Sequence, residues 1–274
     1  MNCNLNTSVI QNYHSQSQII RILTENWLKN NMYCPHCGYG SLNHFPNNKA
    51  VADFYCPICR NEYELKSKAG NIGHKIADGA YHTFIDRITS SNNPDFFVLN
   101  YNKQYLYVNN LWIIPKHFFV PDIVEQRKPL SDNAKRKGWI GCNILIDKIP
   151  NQAKIEVVHN KIPVPKELVQ AQMQQASLLY TSNLSSRGWI MDVLKCIDSI
   201  QAETFSLSEM YQFETVLTIK HPNNHNIKAK IRQQLQLLRD KGFLDFLDRG
   251  IYKKILKCQS FHIEKRQNVI HDFD

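Results

Sequence analysis

Asp53 and, eleven positions later, Glu64-Leu65-Lys66 could bring two carboxylates and an ammonium to one place. Ala50 to Tyr55 and Glu62 to Ser67 alternate apolar and polar residues as short strands do. Side chains alternate faces along a strand, so Glu64 and Lys66 share one face and Leu65 points to the other, into the core. If the strands are neighbours, Asp53 joins Glu64 across the pair. Two carboxylates then hold a hard cation such as Mg²⁺, which can activate water and neutralise a leaving oxyanion. Lys66 stands close enough to polarise that water or to stabilise charge on a phosphorane. This is the layout of phosphodiester hydrolysis. Ordinary strand-surface charges are the alternative, because an Asp followed by Glu-x-Lys is a frequent coincidence. Glu25, on a preceding helix, is either a further acid for the metal site or a solvated helix charge.

A second constellation lies between these pieces. Cys34-Pro35-His36-Cys37 and Cys56-Pro57-Ile58-Cys59 are separated by 18 residues. Two residues between ligands let both thiolates of a knuckle face one tetrahedral ion, which fits a structural zinc site. Four protein ligands leave no open position, so zinc is assigned to folding. His36 and His44 are expected on surface loops, and Cys3, Cys142, Cys196 and Cys258 read as free thiols.

The elements that must position these groups are legible in outline. Ile19, Ile20, Leu23, Trp27 and Leu28 mark an amphipathic helix over 16–30. Residues 31–48 read as loop and 74–89 as a helix with Ile76, Ala80, Phe84, Ile85 and Ile88 inward. Phe96 to Asn100, Gln104 to Val108, Leu111 to Ile114, Ile144 to Ile149 and Ile155 to Val158 read as strands. A connecting segment over 161–186 carries a helix from Lys166 to Tyr180. With 274 residues, 43% hydrophobic and 21% charged, the chain can bury a sizeable core. No apolar run is long enough to span a membrane, and the first residues carry no export signal, so a cytoplasmic protein is expected. Lys+Arg 33 against Asp+Glu 24 leaves +9, a balance that favours a polyanionic partner.

The last quarter reads as a winged helix-turn-helix. Ser185/Ser186 cap a helix from Arg187 to about Ile200, and Ser206 caps one from Leu207 to about Thr215. Asn226 begins a third, Ile227 to Lys241, closed by Gly242. Phe243 to Phe246 and Ile251 to Ile255 form a hairpin, with Leu235, Leu238, Phe243 and Phe246 in the core. Recognition helices contact bases from their N-terminal turns, which here hold Asn226, Lys228 and Lys230. Asn pairs with adenine and Lys with guanine. Arg249, Lys253 and Lys254 would meet phosphates at the wing. A winged helix used for protein contacts is the alternative.

In order, these pieces resemble the DpnI-like methyl-directed restriction endonucleases over almost all of residues 16–256. The likeness is carried by Arg21-Ile22-Leu23-Thr24-Glu25, Tyr33-Cys34-Pro35, Leu42-Asn43-His44-Phe45, Val51-Ala52-Asp53-Phe54-Tyr55-Cys56 and Glu64-Leu65-Lys66-Ser67-Lys68. It continues in Asp78-Gly79-Ala80-Tyr81, Gln126-Arg127-Lys128-Pro129-Leu130-Ser131 and Gly138-Trp139-Ile140-Gly141-Cys142-Asn143-Ile144. The second module adds Leu184-Ser185-Ser186-Arg187-Gly188-Trp189 and Lys230-Ile231-Arg232-Gln233-Gln234-Leu235. The motif here begins Ala52-Asp53 rather than Pro-Asp, and the tail from Gln259 to Asp274 has no counterpart.

The resemblance implies an α/β nuclease core of the PD-(D/E)xK type with an embedded four-cysteine zinc site, followed by a winged helix. The corresponding division is 1–183, 184–258 and a tail, 259–274. It implies Mg²⁺-dependent type II cleavage of double-stranded DNA at GATC when the adenine carries an N6-methyl group, by a protein monomeric in solution, as restriction of incoming DNA. Asp53, Glu64 and Lys66 match the catalytic motif, and Cys34, Cys37, Cys56 and Cys59 the zinc ligands. An N6-methyl group is apolar and projects into the major groove, where an aromatic face gains contact area. Trp139 is the candidate for that contact, with a core tryptophan as the alternative, and Lys135, Arg136 and Lys137 add phosphate contacts. The rival reading is a non-catalytic zinc and winged-helix DNA-binding regulator; a nuclease of altered site or methyl requirement is another.

Overall fold

Leu23, Trp27 and Leu28 form the buried face of helix α1 (Gln16–Asn31) in the computed structural model, which describes residues 1–10, 13–46, 52–90 and 92–255. The chain continues through β1 (Asn43–His44), β2 (Phe54–Tyr55), β3 (Glu62–Ala69), β4 (Lys75–Ala80), helix α2 (Tyr81–Thr89), β5 (Asp95–Asn102) and β6 (Tyr107–Ile114). Next come β7 (Val124–Gln126), β8 (Gly141–Leu145), β9 (Ile155–His159), β10 (Ile162–Pro163) and α3 (Lys166–Ser177). Helix α4 (Leu184–Ser199) leads to β11 (Thr204–Ser206), α5 (Leu207–Tyr211), α6 (Glu214–Lys220), α7 (Ile227–Asp240) and the hairpin β12 (Leu244–Asp248), β13 (Ile251–Lys254). Two compact units divide at Lys195/Cys196, inside α4. No helix among the described residues is long and apolar enough to cross a membrane.

The first unit is built on a seven-stranded sheet in the order β1-β2-β3-β5-β6-β9-β10. Only β3 and β5 run parallel, and β4 and α2 fill the connection between them. Phe96-Phe97-Val98-Leu99 is apolar without alternation because β5 is central and buried on both faces. A separate antiparallel sheet, β4-β8-β7, carries the chain from Arg127 to Ile140 as an extended loop between two of its strands.

Several elements differ from their sequence reading. Residues 74–89 are not one helix: Lys75–Ala80 is a strand paired with β8, and only Tyr81–Thr89 is helical. Ile76 and Phe84 satisfy both periods, and pairing with β8 decides between them. Gln104 to Val108 and Leu111 to Ile114 give a single strand, β6, preceded by a turn. The strand expected from Ala50 is seen only as Phe54–Tyr55, its first residues lying outside the described ones. Helix α4 starts before its expected caps, at Leu184, where Asn183 Oδ1 accepts the Ser186 N–H at 2.8 Å.

Arg187, buried in the first unit, donates to the main-chain carbonyls of His117 at 3.0 Å, Ile88 at 3.2 Å and Lys116 at 3.3 Å, and to that of Phe119. Arg187→Met strands these acceptors, and we expect a loss of about 3 kcal/mol. Urea denaturation checks it; an unchanged midpoint would remove Arg187 from the account of stability.

The second unit contains α5, α6 and α7 and the three-stranded sheet β11-β13-β12. The Ser206 cap is a full capping box, with its side chain accepting from Glu209 N and the Glu209 carboxylate accepting from Ser206 N. Gly242 closes α7 at φ +73°, a conformation that favours glycine. Ile231, Leu235, Leu238 and Phe243 are core, but Phe246 is 49% exposed on the wing.

Candidate active site and metal centre

The hairpin β2–β3 is the foundation of both constellations. Phe54 faces Tyr63 and Tyr55 faces Glu62 in its antiparallel register. Asp53 N–H donates to Tyr63 O at 2.9 Å, extending the pairing by one residue. That sets Asp53 beside the strand carrying Glu64 and Lys66, and its Oδ2 accepts the Leu65 N–H at 2.8 Å. The register is local, so the eleven-residue spacing in the sequence is enough to bring the two carboxylates together.

Lys66 is the hub of this cluster. Its Nζ pairs with Glu64 Oε1 and lies 2.5 Å from Asp78 Oδ1. Burial works against its charge, but the Glu64 and Asp78 carboxylates outweigh that and hold its pKa above the usual lysine range. Burial raises the pKa of both Asp53 and Glu64, with the Leu65 N–H opposing it at Asp53 and the Lys66 ammonium opposing it at Glu64. Glu25 adds to the rise at Asp53; its own carboxylate meets Arg21 Nε at 2.5 Å and His44 Nε2 at 3.2 Å. Leu65, expected in the core, is half-buried. It lines a cleft of about 410 Å³ with Arg21, Thr24, Glu25 and Ser67.

The donor set fits a hard divalent cation. Asp53, Glu64 and Asp78 outnumber the one lysine among them, their burial penalises uncompensated negative charge, and Glu64 Oε2 is buried with no hydrogen-bond partner. Asp78 is the member that sequence reading did not use. It lies in the motif Asp78-Gly79-Ala80-Tyr81, but the segment reads as helix, which conceals its approach to Lys66.

The four cysteines of the knuckles converge. The Sγ atoms of Cys34, Cys37, Cys56 and Cys59 all lie within 4.8 Å of one another. Cys34–Cys59 and Cys37–Cys56 are each 3.5 Å apart, near the roughly 3.8 Å edge of a tetrahedron with Zn–S bonds of about 2.3 Å. The two turns repeat each other. Cys37 and Cys59 N–H point at the first sulfur of their own knuckle at 3.5 Å. Gly38 and Arg60 N–H donate to the first cysteine's carbonyl at 2.9 and 3.0 Å, both residues having positive φ. A Cβ on Gly38 would lie 2.6 Å from Gln170 Nε2, so a side chain there would also have to displace that carboxamide. Burial pushes the Cys34 thiol well above its ordinary range, so a thiolate there needs a cation. His36 and His44 bind acids instead: His36 Nε2 lies 2.6 Å from Asp95 Oδ2, and His44 contacts Glu25.

The expected DNA-contacting residues fall in two groups. Lys135, Arg136 and Trp139 lie on the loop between β7 and β8, Lys135 and Arg136 exposed and Trp139 half-buried rather than core. The Arg136 guanidinium stacks 4.6 Å from the Trp139 ring centroid, and the ring's edge lies where a Cβ on Gly141 would be, at 2.8 Å. Lys137 pairs with Asp132 at 2.8 Å. In the second unit, Asn226 precedes α7 and Lys228 and Lys230 lie in its first turn. Lys228 is 3.3 Å from Glu214, and Lys230 donates to Gln233 at 2.8 Å. Arg249 sits at the wing tip and Lys253 is exposed on β13. Lys254, expected at a phosphate, is half-buried, and its Nζ donates to the Ile200 carbonyl.

Two family models match the chain. One, described as DpnI, Dam-replacing family, matches residues 1–182, and the other, described as a Dam-replacing HTH domain, matches residues 185–254.

Proposed function

The chain belongs to the DpnI, or Dam-replacing, family, and from that membership we propose that it is a methyl-directed type II restriction endonuclease. It hydrolyses phosphodiester bonds of double-stranded DNA at GATC sites whose adenine is N6-methylated. The cluster of Asp53, Glu64 and Lys66 on one hairpin carries this reading, since a DNA-binding regulator has no use for three ionisable groups held together at a cost in burial. Support for a PD-(D/E)xK core comes from the motif's spacing and from the parallel pairing of β3 with β5 behind it. Residues 1–183 are the nuclease, 184–258 the winged helix and 259–274 a tail, which lies outside the described residues.

Asp53 and Glu64 hold Mg²⁺ in this reading, and Cys34, Cys37, Cys56 and Cys59 hold zinc. Bound magnesium supplies Lewis acidity at the scissile phosphate and a lowered pKa for the attacking water. Lys66 remains an ammonium and donates from Nζ toward the attacking water and the charge developing on the phosphoryl oxygens. Asp53 is fixed by the Leu65 N–H, so its carboxylate keeps one orientation during the reaction. Trp139, stiffened by Arg136, offers an apolar face to the methyl group, and Lys135 and Arg136 take phosphates. Asn226, Lys228 and Lys230 read the site from α7, with Arg249 and Lys253 on the backbone. The protein acts in the cytoplasm as a monomer.

The deciding experiment is cleavage of one plasmid, adenine-methylated at GATC or unmethylated, with Mg²⁺ and with a chelator. Metal-dependent cutting of the methylated form alone is expected. Cutting of both forms sinks the methyl requirement, and no cutting by folded, zinc-loaded protein favours the regulator. Affinity for the methylated duplex should also fall about 10³–10⁵-fold between roughly 50 and 200 mM salt if about 6–10 phosphates are neutralised. A flat response in a salt titration would contradict the basic contacts.

A further inference from the structure

On the nuclease reading above, Lys66 is the cation of the site, and we infer that Asp78 is the positioning residue that holds Lys66 toward the scissile phosphate. Glu64 alone is a poor anchor for this ammonium, because on that reading the same carboxylate also faces the metal. Asp78 comes from a different sheet. Its side chain is 4% exposed, its Oδ1 lies 2.5 Å from Lys66 Nζ and also accepts the Gly79 N–H at 2.5 Å, and its Oδ2 has no partner.

The backbone is built to aim it there. Asp78 shares the inward face of β4 with Ile76, where an unpaired carboxylate is costly. The register of β4 against β8 slips at this point: Asp78 faces Cys142 and Ala80 faces Gly141, leaving Gly79 as an extra residue. Such a bulge re-aims a neighbouring side chain, and bulges are common beside active sites. A carboxylate on an apolar face, turned by a bulge onto the one buried lysine of the cluster, is a device for fixing that lysine.

The test is Asp78→Asn, near-isosteric and uncharged, measured alone and with Lys66→Ala. Single-turnover cleavage of methylated duplex should fall about 10²-fold, the scale of a misplaced catalytic group, with DNA affinity unchanged. The double variant should be no slower than Lys66→Ala, because Asp78 acts only through Lys66. Wild-type cutting by Asp78→Asn overturns the inference. So does a further loss in the double variant accompanied by a higher Mg²⁺ requirement, which would make Asp78 a metal ligand. Should Asp78→Asn fail to fold, Asp78→Glu, which keeps the carboxylate but displaces it, takes its place: a loss of rate that vanishes in the Lys66→Ala background supports the positioning role, and wild-type cutting or a further loss in the double overturns it. A wild type that never cuts overturns this inference together with the nuclease reading, whereas a cutting wild type with an undiminished Asp78→Asn variant removes only Asp78.

Discussion

The Lys66→Ala variant is expected to cut methylated duplex about 10³-fold more slowly than the wild type while still binding it. The size follows from what Lys66 supplies: a preorganised ammonium where charge develops, worth about 10²–10³ in rate when one such donor is removed. Binding survives because the residues assigned to phosphates and bases lie elsewhere, on the β7–β8 loop, α7 and the wing. The substitution has a second consequence. Glu64 and Asp78 lose the ammonium that both of them contact, and stranding buried partners of an ion pair costs about 3–5 kcal/mol. Urea denaturation should therefore show a lower midpoint, and cleavage must be measured on protein shown to be folded. Near-wild-type cutting by folded Lys66→Ala would exclude this lysine from the chemistry, whereas loss of binding along with cutting would mean that it serves the DNA interface.

Removal of zinc should do more damage than loss of any single side chain outside the four cysteines. The second knuckle forms the tip of the β2–β3 hairpin, three residues after Asp53 and five before Glu64. Structural zinc contributes about 10–16 kcal/mol of apparent binding free energy to small domains at neutral pH, and an ion on the four sulfurs would put that energy into the hairpin carrying both acids. Extraction with a zinc-selective chelator should lower the melting temperature and abolish cutting even with excess Mg²⁺ present, and zinc alone should restore both. Cys56→Ser should behave like the extracted protein. Full cleavage by metal-stripped protein would separate the knuckles from the active site. Restoration by Mg²⁺ alone would mean that the four sulfurs do not hold a structural ion.

How far the sequence reaches depends on the range of the interactions involved. The knuckles and the pairing of Asp53 with Glu64 are local, set by turns and by one hairpin, so residue type and spacing determine them. The helices α1 and α7, the capping box at Ser206 and the glycine stop at Gly242 are likewise written in short windows. Asp78 was out of reach, because its window suits a helix, and only pairing with β8 sixty residues later makes it a strand that faces Lys66. Arg187 reads from the sequence as a charge beside a helix cap; its burial against the carbonyls of residues 116–119 depends on how distant segments meet. The surroundings of Phe246 and Lys254 differ from expectation for the same reason: a two-residue alternation gives the faces of a hairpin, but what covers each face is settled by the rest of the fold. The sequence by itself thus determined the chemistry of the ligands and the hairpin that holds them. The tertiary structure decided which further side chains close around Lys66, because those contacts join residues that no local period connects.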